Sequence, residues 1–140
     1  DCGCPTFLLP LSQMALLYAH IASSKHSELE QISRSMIANP ELVGGIGKFD
    51  TELMKRSHGQ LLSKGGAEGI QCLSRIGEGL GLAIKVEDGS KRAKHASALH
   101  ILNQLEWLTP VRILELEEQI IPLSTEQKIE VEGKLCFLEP

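Results

Sequence analysis

Apolar positions recur at helical spacing through Leu11, Met14, Leu17, Tyr18 and Ile21. They predict a first helix with Ser12 as its cap. Ser27 and Glu30 form an S-x-x-E capping box, in which each side chain satisfies the other's open backbone donor. Leu29, Ile32, Met36 and Ile37 then give a second helix its buried stripe. Asn39-Pro40 interrupts that pattern, and Pro40 can open a short helical turn through Val43. Asp50 or Thr51 caps a short helix through Leu53 and Met54.

The period then switches to two. Ile70, Cys72, Ser74 and Ile76 alternate with Gln71, Leu73 and Arg75, and Leu80, Leu82, Ile84 and Val86 repeat the alternation. With Gly77-Glu78-Gly79 between them, they predict a β-hairpin with a three-residue loop. Leu61 to Lys64 predicts a strand ahead of it. A long helix follows from Ser90 to Leu108, with Ala98, Ile101, Leu102, Leu105 and Leu108 on its apolar face and Trp107 packed at its end. Another helix runs from Thr109-Pro110 through Ile120. Weak alternation around Ile129 and Val131 predicts a strand in the tail. The order implies an α+β fold, with helices packed on an antiparallel sheet. No internal repeat or low-complexity segment is present.

Composition narrows the class. A chain of 140 residues with 42% hydrophobic content can build one domain with its own core. Charged residues at 23% and a net charge of −4 are ordinary for a soluble protein and argue against a nucleic-acid partner. No apolar run approaches the roughly 18 residues of a membrane span, and the opening DCGCPTFLLP lacks the charged start of a signal peptide. Its abrupt beginning at Asp1 implies a processed product, a designed chain or a piece cut from something larger. Four cysteines, at 2, 4, 72 and 136, are too few for a disulfide scaffold and lack paired zinc-finger spacing. They read as free thiols in a reducing, cytoplasmic setting, with Cys72 in the core.

LLSKGGAEGIQC, Leu61 to Cys72, is the stretch that carries candidate chemistry. Lys64 precedes two glycines, which leave room for close approach of a ligand. A lysine buried beside other cations gives up its proton more readily and can act as a general base. Glu68 can hold a substrate ammonium or pair with Lys64. Gly66 and Ala67 offer backbone groups for a carboxylate or an oxyanion. Each residue also has a plain reading as turn polarity. The five histidines, at 20, 26, 58, 95 and 100, make no metal pattern. Lys91, Arg92 and Lys94 read as the solvated face of a helix. Gly44, Gly45 and Gly47 make a loop and not a nucleotide fingerprint, because no strand precedes them.

Four blocks occur in one order: CGCPTFLLPLSQMALLYAHIA, PELVGGIGKFDTELM, SKGGAEGIQC and GLGLAIKVEDGSKRAKHA. Together they resemble the bacterial L-asparaginase family of the rhizobial type, asparaginase II, from Cys2 to about Leu108. The likeness fades after Pro110. It implies hydrolysis of L-asparagine to aspartate and ammonia, on a fold similar to serine β-lactamases and glutaminases. It also implies a serine nucleophile activated by lysine, with Lys64 as one such lysine, zinc near the site with Cys2 as one ligand, and a homodimer.

Two departures bear on that expectation. The family's S-x-x-K unit lies upstream, and no serine here has a lysine three positions later. Only Thr125-x-x-Lys128 has that shape. Asp1 also stands one residue before Cys2, where the family's aspartate stands two before. The chain is thus expected to be the C-terminal portion of an asparaginase, inactive alone, with the N-terminal portion as its missing partner. A non-catalytic ligand-binding module is the alternative. A β-lactamase-like penicillin binder is disfavoured, because Gly65 replaces the threonine of its K-T-G strand.

Overall fold

The computed structural model describes residues 3, 5, 7–23, 25–121 and 129–135. Four helices come first: α1 (Leu11–Ala22), α2 (Ser27–Ala38), α3 (Pro40–Gly44) and α4 (Phe49–Arg56). Three strands follow, β1 (Leu61–Gly65), β2 (Ile70–Arg75) and β3 (Leu80–Lys85), and then α5 (Lys91–Gln104) and α6 (Pro110–Ile120). The sheet order is β1-β2-β3, antiparallel throughout. Helices packed on an antiparallel sheet make this an α+β fold.

Strand alternation sorts the side chains onto two faces. Leu61, Leu73, Leu82 and Ile84 meet Leu99 and Leu102 of α5 and Ile113 and Leu116 of α6 in the main core. Trp107 and Leu108 close its end, both buried. The opposite face takes α1, which packs against β3 and β2. There the contact is backbone on backbone: a Cβ built on Gly81 would lie 2.0 Å from Ala15 O and 2.5 Å from Ala19 N. Only glycine lets the helix come that close.

The period-two reading holds, with one adjustment. Arg75 and Leu80 form the last pair of the β2–β3 ladder, so the connection is four residues, Ile76 to Gly79. Ile76 N–H turns away to Gln60 O at 2.9 Å. In the tail, residues 129–135 form no strand. Ile129 and Val131 instead pack, partly buried, against the core.

Helix caps differ more from expectation. α1 starts after Pro10, with Ser12 already inside the helix and no side-chain cap. α2 begins at Ser27 itself, and no capping-box bond forms. Glu30 pairs instead with Arg34 one turn on, at 2.5 Å. Its predicted stripe is only half covered, since Ile32 is exposed while Ser33 is buried. The cap before α4 is Lys48. Thr51 is fully buried and donates its hydroxyl towards Gly45 O at 2.7 Å and Pro40 O at 3.0 Å. The start of α5 is as expected, with Ser90 Oγ accepting from Ala93 N–H at 3.3 Å. That helix ends at Gln104 because Glu106 adopts a left-handed backbone, φ 54°. Trp107 N–H then folds back onto Leu102 O at 3.1 Å.

A methyl group at Gly81 must push α1 off the sheet, whereas one at Gly77 (φ 86°) meets open space and only strains the backbone. Gly81→Ala is therefore expected to cost about 3 kcal/mol or more, against about 1 kcal/mol for Gly77→Ala. Urea denaturation of the two variants measures the difference.

Candidate functional site

Lys64 and Gly65 end strand β1, and a tight turn leads back into β2. Gly66 N–H donates to Ile70 O at 2.9 Å, and Ile70 N–H donates to Ala67 O at 3.3 Å. Glu68 and Gly69 occupy the turn's centre with φ 56° and 72°, the left-handed pair of a type I′ turn. Glycine suits that geometry, whereas a glutamate there is uncommon. Lys85 Nζ donates to Glu68 O, and Val86 N–H donates to Gly69 O at 3.0 Å, so the loop is pinned from β3. A non-glycine residue held in this conformation directs attention to its side chain, and Glu68 is exposed.

Lys64 is also exposed, and its cross-strand partner is Cys72, on the α1 face of the sheet. Its Nζ donates to Gly65 O at 2.6 Å. The expected ion pair with Glu68 is absent among the described residues. The structure brings Lys64, Gly66, Ala67 and Glu68 into one exposed turn, while Cys2 lies outside the described residues. So do Cys4, Cys136 and the Thr125-x-x-Lys128 segment.

Behind the turn is a buried polar cluster that the sequence reading missed. Asp50 projects from the first turn of α4 and is 9% exposed. Its Oδ1 accepts from Ser63 Oγ at 2.6 Å and from Gln71 Nε2 at 2.8 Å, and its Oδ2 accepts from Gly65 N–H at 2.8 Å. Gln71 Nε2 also lies 2.9 Å from Ser63 Oγ. Lower on the same edge, Ser57 Oγ accepts from Leu61 N–H at 3.2 Å. Side chains around α4 thus occupy both ends of the open edge of β1, which would otherwise expose unpaired donors.

Lys94 completes the cluster. It reads as part of a solvated face in the sequence, yet it is 5% exposed. It lies one helical turn before the buried Ala98 and points inward with it. A Cβ on Gly65 would sit 3.1 Å from Lys94 Nζ, and 3.3 Å from both Asp50 Oδ2 and Gln71 Oε1. This crowding gives Gly65 its physical reason. Burial pushes the Lys94 pKa below the ordinary lysine value against the pull of Asp50, and the Lys91 and Lys64 charges push the same way as burial. The surroundings expected of Lys64, burial beside other cations, therefore belong to Lys94. Gln71 Oε1 is buried without a hydrogen-bond partner.

Neighbouring groups are held neutral. His95 stacks on Phe49 with ring centroids 4.4 Å apart. Burial lowers its pKa to about 4, the Lys94 charge adding to the effect. Burial raises the Cys72 thiol to about 11, with Asp50 contributing, so Cys72 is a protonated core residue and not a nucleophile. Tyr18 on α1 is shifted upward by burial, then by Cys72 and Asp50. Among the described residues no three His, Cys, Asp or Glu side chains gather to hold a metal ion, and no helix is long and apolar enough to cross a membrane. A cavity of about 620 Å³ between α5, α6 and residues 129–131 contains none of the predicted site residues.

The L-asparaginase II family model matches residues 1–137. The match continues through α6, beyond Pro110 where the recognisable motifs stop. No curated protein matches the chain.

His95 ties this cluster to acid stability. Its native pKa, about 4, lies below the ordinary 6.5, so between those values the unfolded chain binds the extra proton. The stability it contributes is complete above pH 6.5 and is lost as pH falls towards 4. In urea titrations at pH 7.5 and pH 5, His95→Phe is expected to lose distinctly less stability on acidification than the parent.

Proposed function

The chain belongs to the L-asparaginase II family, and we propose that it forms the lysine-bearing wall of a site hydrolysing L-asparagine to L-aspartate and ammonia. The observation that carries this reading is the placement of Lys64. Its ammonium is exposed at the end of an edge strand, beside two glycines, on a backbone braced from behind by Asp50. A lysine on a fixed backbone suits a group that must move a proton at a defined point.

In this reading a serine outside these 140 residues attacks the side-chain amide carbon, since no Ser-x-x-Lys pair occurs in the chain. Lys64 Nζ, as the neutral amine, takes up the hydroxyl proton and returns it to the departing ammonia. Water then enters by the reverse path and releases aspartate. Glu68 meets the substrate's α-ammonium. Ala67 offers its N–H to substrate oxygen, whereas Gly66 N–H is engaged with Ile70 O, so Gly66 contributes a bare Cα and close approach.

Lys64 needs a second wall to exclude water, because the burial that turns a lysine into a base is not provided here. Exposed apolar residues elsewhere in the chain support such a wall. Phe7 and Leu8 are 90% and 99% exposed, and Leu16 and Leu17 on α1 are also exposed, apolar surface of the kind a partner covers. The N-terminal portion of the same protein would cover it, in an assembly that pairs two copies. For zinc, Cys2 is the one ligand this chain would offer, and a single thiolate does not make a zinc site. The proton steps assigned to this chain therefore run through Lys64 and the turn.

Ammonia release from L-asparagine tests the reading. The longest protein its source makes should be active, Lys64→Ala should lower kcat by about 100-fold or more, and the 140-residue chain alone should release none. Full activity in Lys64→Ala, or turnover by the isolated chain, contradicts it. Binding of L-aspartate without turnover in the longest protein would favour a non-catalytic module.

A further inference from the structure

We infer that Asp50 is the positioning residue of Lys64, acting through the two peptide groups of Gly65. The inference rests on the proposed role of Lys64 and adds a residue that the turn's own sequence does not contain. Gly65 N–H donates to Asp50 Oδ2 at 2.8 Å, while Gly65 O accepts from Lys64 Nζ at 2.6 Å. One residue therefore links the carboxylate on one face of the sheet to the ammonium on the other.

The geometry makes this link specific. β1 is the edge of the sheet, so the outward Gly65 N–H has no strand to receive it. Asp50 can fix it because Ser63 and Gln71 hold the other carboxylate oxygen, which leaves Oδ2 no freedom to turn away. Lys94 Nζ lies over the Gly65 Cα and closes the space in which the glycine could shift. Carboxylate, hydroxyl, amide and ammonium are all buried, where hydrogen bonds are hardest to exchange for water.

Asp50→Asn breaks this link selectively. An asparagine has one acceptor oxygen, and the two donors at Oδ1, Ser63 and Gln71, claim it. Its NH₂ then faces Gly65 N–H, donor against donor. Ser57→Ala is the control, because it removes an edge bond at Leu61 of the same strand, away from Lys64. Gly65→Ala breaks the link by another route, since its Cβ would crowd Lys94, Asp50 and Gln71. It keeps the test decisive where Asp50→Asn does not fold.

The readout is side-chain ¹³Cε relaxation of Lys64 in the full 140-residue chain, compared with exposed Lys48. Lys64 should be the more ordered in the parent and in Ser57→Ala, and should fall to the level of Lys48 in Asp50→Asn and Gly65→Ala. Equal order in the parent, or an unchanged Lys64 in both variants, overturns the inference. In the longest protein its source makes, Asp50→Asn should lower kcat by roughly 10- to 100-fold with little change in KM. If Lys64→Ala is inactive while Asp50→Asn keeps full kcat, this inference fails and the proposed function stands. If Lys64→Ala itself is fully active, the proposed function fails, and positioning for chemistry fails with it.

Discussion

A carboxylate taken out of water must find donors for its oxygens, or its burial destabilises the fold by several kcal/mol. Asp50 finds three: a serine hydroxyl, a glutamine amide and a glycine N–H. Those donors sit on β1 and β2, whereas Asp50 sits on α4, so satisfying one charge fixes the helix to the sheet edge. Lys94 brings α5 to the same point. Four elements converge on Gly65, and the exposed lysine turn grows from that fixed point. The remaining core is ordinary leucine and isoleucine packing between α5, α6 and one sheet face.

The two faces of the sheet divide the work. One buries the polar cluster and the apolar core. The other carries Lys64 and Cys72 and takes α1 by direct backbone contact at Gly81. Glycine thus does two different things on the two outer strands of the sheet. At Gly65 it leaves room for an ammonium and a carboxylate, and at Gly81 it leaves room for a helix. Neither position has a left-handed backbone, so close approach and not turn geometry explains both.

The elements were legible where the hydrophobic period was long or the turn chemistry strong. The Ile70–Val86 alternation around Gly77-Glu78-Gly79 gave the hairpin, and Pro40, Ser90 and Pro110 each marked a helix start. Caps were less legible. Ser27 with Glu30 and Asp50 with Thr51 match capping patterns, but other partners claim two of these side chains: Arg34, one turn along the same helix, takes Glu30, and β1 takes Asp50. The site was half legible. K-G-G-A-E-G announced the turn and a family likeness. Its support did not, because Asp50, Ser63, Gln71 and Lys94 are scattered along the chain and meet only when four elements pack. A buried lysine on a helix that also carries Lys91 and Arg92 looks, in one dimension, like one more solvated charge. The inward phase of Ala98 and Leu102 was the available signal.

A buried carboxylate holds the backbone of the lysine turn from behind. Amide hydrogen exchange at Gly65 in the native chain tests it most directly. This N–H lies on the outer edge of the sheet, where an unpaired donor exchanges freely. Protection comparable to that of the ladder amides of Leu73 and Cys72 is expected, because the donor is bound to Asp50. Exchange as fast as that of an open turn amide would contradict it.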